Sequence, residues 1–314
     1  AQTVIYVNAA AAPGGNGASW ATAYRDVESA LTAAEGATSG SVEIWVAGGT
    51  YKPTRQTGAT ARTKTFELRA TVPLSMIGGF LGSESAVEQR PTPLALTTLS
   101  GDLNGDDTPN FGNRQENAYK ILWIGTPGTY RVEGFTISGA NSNTASGDVN
   151  SVLYQSGAGL YIYSRVPSTA IDATIVDCAF VENNAAGFGA AMAAASREDN
   201  NVVSVTRVAI DRCVIKLNQH GGTANAVLNW NKVEGSIRNS IIASNPTGGV
   251  IARPPDAQRP ISLVNVTIAN NRDYGLVTFN GLPVNVSNSI LWNNGAGTEA
   301  NQITLAGATV NACT

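Results

Sequence analysis

The chain has 314 residues, of which only 14% are charged, with a formal net charge of −3 at neutral pH. Its few cations are mostly arginines with no basic run, which argues against nucleic acid or an anionic membrane as partner. No apolar stretch reaches the roughly 18 residues of a membrane-crossing helix, so no membrane insertion is expected.

The first residues, Ala1-Gln2-Thr3, carry neither a charged n-region nor an apolar h-region. They read as the start of a mature protein after removal of a signal peptide, and so point to a secreted, extracellular or cell-surface location. Thr22 suits the N-cap of a helix over roughly residues 23–35. Val27, Ala30, Leu31 and Ala34 then share one face, and Gly36 follows its end. Further on, Gly101-Asp102-Leu103-Asn104-Gly105-Asp106-Asp107 sets oxygen ligands at alternate positions, Asp102, Asn104 and Asp106. That spacing suits a hard cation such as Ca2+. It resembles the opening of an EF-hand loop, but Asp107 stands where that loop has glycine and Asn113 where it has glutamate. An ordinary polar turn is the competing reading.

From residue 132 the chain repeats. Phe135, Cys178, Cys213, Ser240, Val266 and Ser289 align as one column, at spacings of 43, 35, 27, 26 and 23 residues. Three residues earlier stand Val132, Ile175, Ile210, Ile237, Leu263 and Val286; two later stand Ile137, Phe180, Ile215, Ile242, Ile268 and Leu291. Five later come Ala140, Asn183, Asn218, Asn245, Asn271 and Asn294. Such a period is that of a solenoid whose coils bury their apolar faces on one another. The odd offset between the first two columns demands a bend, at Gly134, Asp177, Arg212, Asn239, Asn265 and Asn288. Asparagine tolerates left-handed backbone angles and bonds its neighbours. Both asparagine columns are therefore expected to form structural ladders between coils.

A third strand follows in each coil: 159–163, 189–192, 226–228, 249–252 and 275–278. By alternation its outward column is Tyr161, Ala191, Val227, Ile251 and Val277, flanked by Tyr163, Ala193, Asn229, Arg253 and Phe279. This apolar stripe is expected to be an interface or an aromatic sugar platform, unless the insertions 140–157 and 164–170 fold over it. Cys178 and Cys213 should stack about one strand spacing apart (~4.8 Å), as buried thiols or as a disulfide. Cys313, near the end, reads as free or paired with another chain.

The strand–bend–strand–Asn turn–strand pattern resembles the right-handed parallel β-helix proteins of the pectin-lyase-like superfamily. Upstream segments such as Gly14-Gly15-Asn16-Gly17-Ala18-Ser19-Trp20, Gly78-Gly79-Phe80 and Leu99-Ser100-Gly101-Asp102 look like the opening of many secreted bacterial members. The resemblance implies an all-β fold over 1–314 as one parallel β-helix with an N-terminal helical cap. Residues 1–50 form the cap and first strands, 51–130 early coils with long loops, and 131–314 regular coils.

Polygalacturonase-like hydrolases of this superfamily carry Gly-His-Gly one coil after an Asp-Asp pair. Here Glu198-Asp199 precedes His220-Gly221, but Gln219 replaces the first glycine and no Arg-Ile-Lys follows. A hydrolase needs two carboxylates across the scissile bond, and Asp199, Glu198 and Asp211 are the candidates, beside His220. A lyase needs a cation cluster with a basic residue, and Lys216, Arg197 and Arg212 form no obvious set. A loop histidine beside a glycine turn is the plainer reading.

The C-terminal end shows no counterpart of the helical cap, which favours a tethered or self-assembling protein. The sequence therefore points first to a non-catalytic extracellular surface or assembly β-helix, whose partners are itself or other cell-surface components. A polysaccharide hydrolase or lyase comes second, and a glycan-binding module using Tyr161, Tyr163 and Phe279 third.

Overall fold

The computed structural model describes residues 1–94, 96–143, 155–164, 166, 169–196, 198–199, 202–221, 226–279, 282–295, 299–306 and 310–313, with backbone alone at 198–199, 202–203, 299–300, 305–306 and 310–313. Among these, parallel strands stack into three long sheets. The first runs through ten strands from Gln2–Val7 to Val310–Cys313. The second has eight, from Gly49–Tyr51 to Ile290–Trp292, and the third eight, from Phe66–Leu68 to Ile303–Ala306.

One coil shows how the chain makes this. Ala170–Val176 lies in the first sheet with Ile171, Ala173 and Ile175 inward. The chain bends at Asp177, enters the second sheet as Ala179–Val181, turns again, and passes through Asn184–Ala185, part of a small three-stranded sheet. It then joins the third sheet as Met192–Ala195 and returns to Val205–Asp211, in register on Ala170–Val176. Inside, like stacks on like. Val132, Ile175, Ile210, Ile237, Leu263 and Val286 are successive register partners, and all are buried. β-Branched side chains suit this pleated surface, and each fully buried one contributes about 1.5–3 kcal/mol.

The corners are sharp because single residues turn left-handed. Between the first and second sheets these are Gly134, Asp177, Arg212, Asn239, Asn265 and Asn288, with φ of 77°, 50°, 52°, 49°, 56° and 47°. A second left-handed column, which carries no single residue type, sits just before the inner asparagines: Gly139, Glu182, Leu217, Ser244, Asn270 and Asn293. Glycine, asparagine and aspartate tolerate this conformation, but at Arg212, Glu182, Leu217 and Ser244 it costs roughly 1–2 kcal/mol each, so there packing holds the corner.

The N-terminal helix α1 spans Val27–Glu35, shorter than the expected 23–35. Its N-cap is Asp26, whose carboxylate accepts from the Ser29 amide at 2.7 Å, and not Thr22. The reason is local: Tyr24 bridges to Val7 at the edge of the first sheet, and Trp20–Thr22 form a 3-10 turn instead. Val27, Ala30, Leu31 and Ala34 close the end of the apolar interior.

Glu28, in the first turn of α1, is half-buried beside Arg55 of the early coils. Its carboxylate meets Arg55 Nε at 2.6 Å, yet both oxygens are buried without a hydrogen bond. Burial outweighs the arginine, and Glu35 and Asp26 add repulsion, so its pKa is pushed up to about 7. A carboxyl with a raised native pKa stabilises the fold below its unfolded pKa, and this contribution is lost as pH rises through the native value. Glu28→Gln should therefore gain on wild type in thermal midpoint as pH climbs from the ordinary glutamate range to about 7, then hold a constant lead. A gap between the two melting curves that does not change with pH would remove Glu28 as the titrating group.

Candidate functional site

The inner asparagines build one continuous structure. Asn183 Nδ2 donates to Asn218 Oδ1 at 3.1 Å, Asn218 to Asn245 at 3.3 Å, Asn245 to Asn271 at 2.8 Å and Asn271 to Asn294 at 2.9 Å. Each Oδ1 also accepts the backbone amide of the preceding asparagine, and each Nδ2 also donates to a backbone carbonyl of the coil before. Gln302 ends the row, with Oε1 accepting from Asn294 Nδ2 at 2.9 Å and Nε2 donating to the Asn294 carbonyl. Sequence reasoning missed this terminal amide because it lies in α2, Glu299–Gln302, outside the repeat. The bend column is less regular. Asn265 donates to Asn239, Asn239 to Asp211, and Arg212 makes two 2.8 Å bonds to Asp177.

The proposed catalytic residues are dispersed. His220 is buried and stacks on Ala185 in the small sheet, its Nε2 against the Gly187 carbonyl. Asp211 faces outward on the first sheet, between Arg212 and Asn239. Asp199 lies in a two-residue antiparallel ladder with Val202, and its side chain is outside the described residues, as is Arg197. A shallow groove of about 310 Å3 crosses the outer face of the first sheet, lined by Asp172, Arg207 and Glu234 among others. Its charges are spent on one another: Arg207 pairs with both carboxylates at 3.1 Å, and Glu234 also holds Arg259.

The third-sheet stripe differs from expectation in register and in exposure. Leu160, Met192, Leu228, Val250 and Leu276 are partners, so the outward column reads Trp123, Tyr161, Ala193, Asn229, Ile251 and Val277. Val227 and Ala191 are corrected to the interior, where both are fully buried. The segment expected at 189–192 enters the sheet only as Met192–Ala195, and in Ala226–Asn231 the successive residues Val227 and Leu228 both join the interior. Every member of the outward column is below one-tenth exposed, so the stripe is not a free surface. Lys120 Nζ lies 5.3 Å from the Trp123 ring centre and 5.4 Å from that of Tyr161, and Tyr163 stacks on Tyr161 at 6.0 Å. Arg253 covers Phe279 at 4.3 Å, and Tyr274 packs with Ile251 and Val277.

The acidic loop gathers a different set from the one its spacing suggested. Asn104 and Asp106 are exposed, whereas Asp102 comes together with Asp107 and Glu116. Burial raises the Asp102 pKa, but the amides of Gly105, Asp107 and Asp106 outweigh it and hold the group below the usual range. Asp107 is raised, by burial first, against Asn117 and Arg114. Glu116 was legible only as one acid in a charged loop.

Large apolar side chains are exposed elsewhere, on the outer face of the second sheet. Ile241, Ile290 and Trp292 are 46%, 60% and 71% exposed. Ile241, Thr267 and Ile290 form one register row, and Ala243, Ala269 and Trp292 the next.

No protein-family model matches the chain, and no curated protein matches it. A pectin methylesterase from Aspergillus niger, in deglycosylated form, is similar in structure at a TM-score of 0.51 and 10% identity, over 99% of this chain and 86% of that one. Pectate lyase Pel9A superposes at 0.41 with 15% identity, over 99% of this chain and 61% of that one. The likeness to the esterase is one of fold alone, a right-handed parallel β-helix.

Truncating one rung of the amide ladder leaves buried partners on both sides unpaired, each at about 1–3 kcal/mol. Asn245→Ala should thus lower the unfolding free energy by about 2–4 kcal/mol in urea titrations, well beyond Asn104→Ala in the exposed loop. Equal losses in the two variants would show that the ladder adds nothing to stability.

Proposed function

We propose that the protein is a non-catalytic extracellular β-helix, a surface or assembly element that contacts further copies of itself through the outer face of its second sheet. The observation that carries this reading is the exposure of Ile241, Ile290 and Trp292 over two neighbouring register rows of the second sheet's outer face. Thr267 and Ala269, their neighbours in register, are small and uncharged, with Val214 on the other side of Ile241 and Lys216 beyond Ala243. Isologous contact of such a patch needs no second surface. The non-catalytic part is supported by the carboxylates of the first-sheet groove and corner, where Asp172, Asp177, Asp211 and Glu234 are each engaged by arginine.

A second reading is favoured by Trp292 itself, since an exposed indole on a flat face suits stacking against a sugar ring. The pectin named for the esterase makes pectic polysaccharide the first ligand to try.

Sedimentation velocity over a concentration series decides between them. Wild type should gain mass with concentration, and Ile290→Ser with Trp292→Ser should stay monomeric. A wild-type monomer at every soluble concentration would end the assembly reading. Retention on pectin lost in Trp292→Ala would then select glycan binding, and pectin cleavage abolished by Asp211→Asn would make it an enzyme.

A further inference from the structure

The excursion between the second-sheet strand Thr97–Ser100 and the third-sheet strand Leu122–Ile124 returns its two ends to one place. One oxygen each from Asp102, Asp107 and Glu116 lies within 4.8 Å of the others. Oxygens on a single Ca2+ stand at most about 4.8 Å apart, twice the usual bond length. The three carboxylates are thus already close enough to share one ion.

Like charges at such separations repel, and something must offset them. Arg114 Nε reaches Asp107 at 3.1 Å, but the same side chain also holds Glu182. Lys52 reaches the Leu103 carbonyl beside Asp102 at 3.4 Å and contacts none of the three carboxylates closely enough to pair. Arg62 also lies near Glu116, but it hydrogen-bonds the Asn117 and Asn141 carbonyls.

A separate observation points to a ligand. Asn117 is fully buried and its Nδ2 reaches the cluster, donating to the two Asp107 oxygens at 3.0 and 3.1 Å and also to the Gly139 carbonyl. Its Oδ1 is buried with no hydrogen-bond partner, and so is one oxygen of Glu116. Leaving buried acceptors unpaired is costly, and amide and carboxylate oxygens are both donors that a hard cation takes.

We propose that Asp102, Asp107 and Glu116, with the amide oxygen of Asn117, bind one divalent cation, Ca2+ in preference to Mg2+. Water completes the shell, and the flexible, all-oxygen set tolerates the larger ion better than the near-octahedral demand of the smaller one. The bound ion joins residue 102 to residues 116–117 and so closes the excursion onto the coil beneath. Asn104 and Asp106 lie outside the set.

Calorimetric titration of the chelator-stripped full chain with CaCl2 and with MgCl2, alongside thermal melts, tests this. One Ca2+ per chain should bind and raise the midpoint, with Mg2+ weaker. Asp107→Asn and Glu116→Gln should each weaken Ca2+ by about tenfold or more, since affinity follows the count of ligand charges. Asp106→Asn should leave it unchanged. If Asp107→Asn fails to fold for want of its Arg114 and Asn117 partners, Glu116→Gln against Asp106→Asn decides alone. Absence of heat and of any midpoint shift at millimolar Ca2+ overturns the assignment, as does an Asp106→Asn loss equal to that of Glu116→Gln.

Discussion

A side-chain amide buried inside each turn is the interaction on which this molecule depends. At the second corner the chain turns through a left-handed residue and leaves backbone groups facing inward, where no water reaches them. One asparagine per coil satisfies them: its Nδ2 serves a carbonyl of the coil before, and its Oδ1 serves the amides of the preceding rung. The apolar columns alone would stack coils but would not fix their rotation about the axis. The amides do, because a rung displaced by one residue loses every bond at once.

This requirement colours the rest of the surface. Asp177 and Arg212 both sit in the left-handed conformation, and the two bonds between them hold neighbouring corners together. Carboxylates that by type alone could do acid–base chemistry are thus part of the scaffold. On the third sheet, aromatic rings are folded under Lys120 and Arg253. Exposed Ile241, Ile290 and Trp292 stand instead on the outer face of the second sheet.

The sequence made the repeat legible because three of its columns are chemically uniform: β-branched, aliphatic and asparagine. The left-handed column of Glu182, Leu217 and Ser244 was not legible, since packing imposes that conformation on residues that do not prefer it. Register on the third sheet is not legible where alanine-rich stretches such as Ala190-Ala191 carry no in–out contrast, nor at Val227, where alternation fails because Val227 and Leu228 both face the interior. Spacing found the acidic loop and picked Asp102, but not its companions. Glu116 and Asn117 return to Asp102 only through the path of the whole excursion, and no local pattern encodes that path.

The amide ladder also has a direction. Between side chains every rung donates toward the C-terminal side, and every amide oxygen accepts from the N-terminal side, from the Ala140 amide at one end to Gln302 at the other. Each joint between rungs is therefore chemically the same as every other. A coil cut out or spliced in at any joint presents the matching donor and acceptor on both faces, so the column heals without a defect. Solenoid length is then free to drift by whole turns under duplication or deletion, while a partial turn is rejected at once.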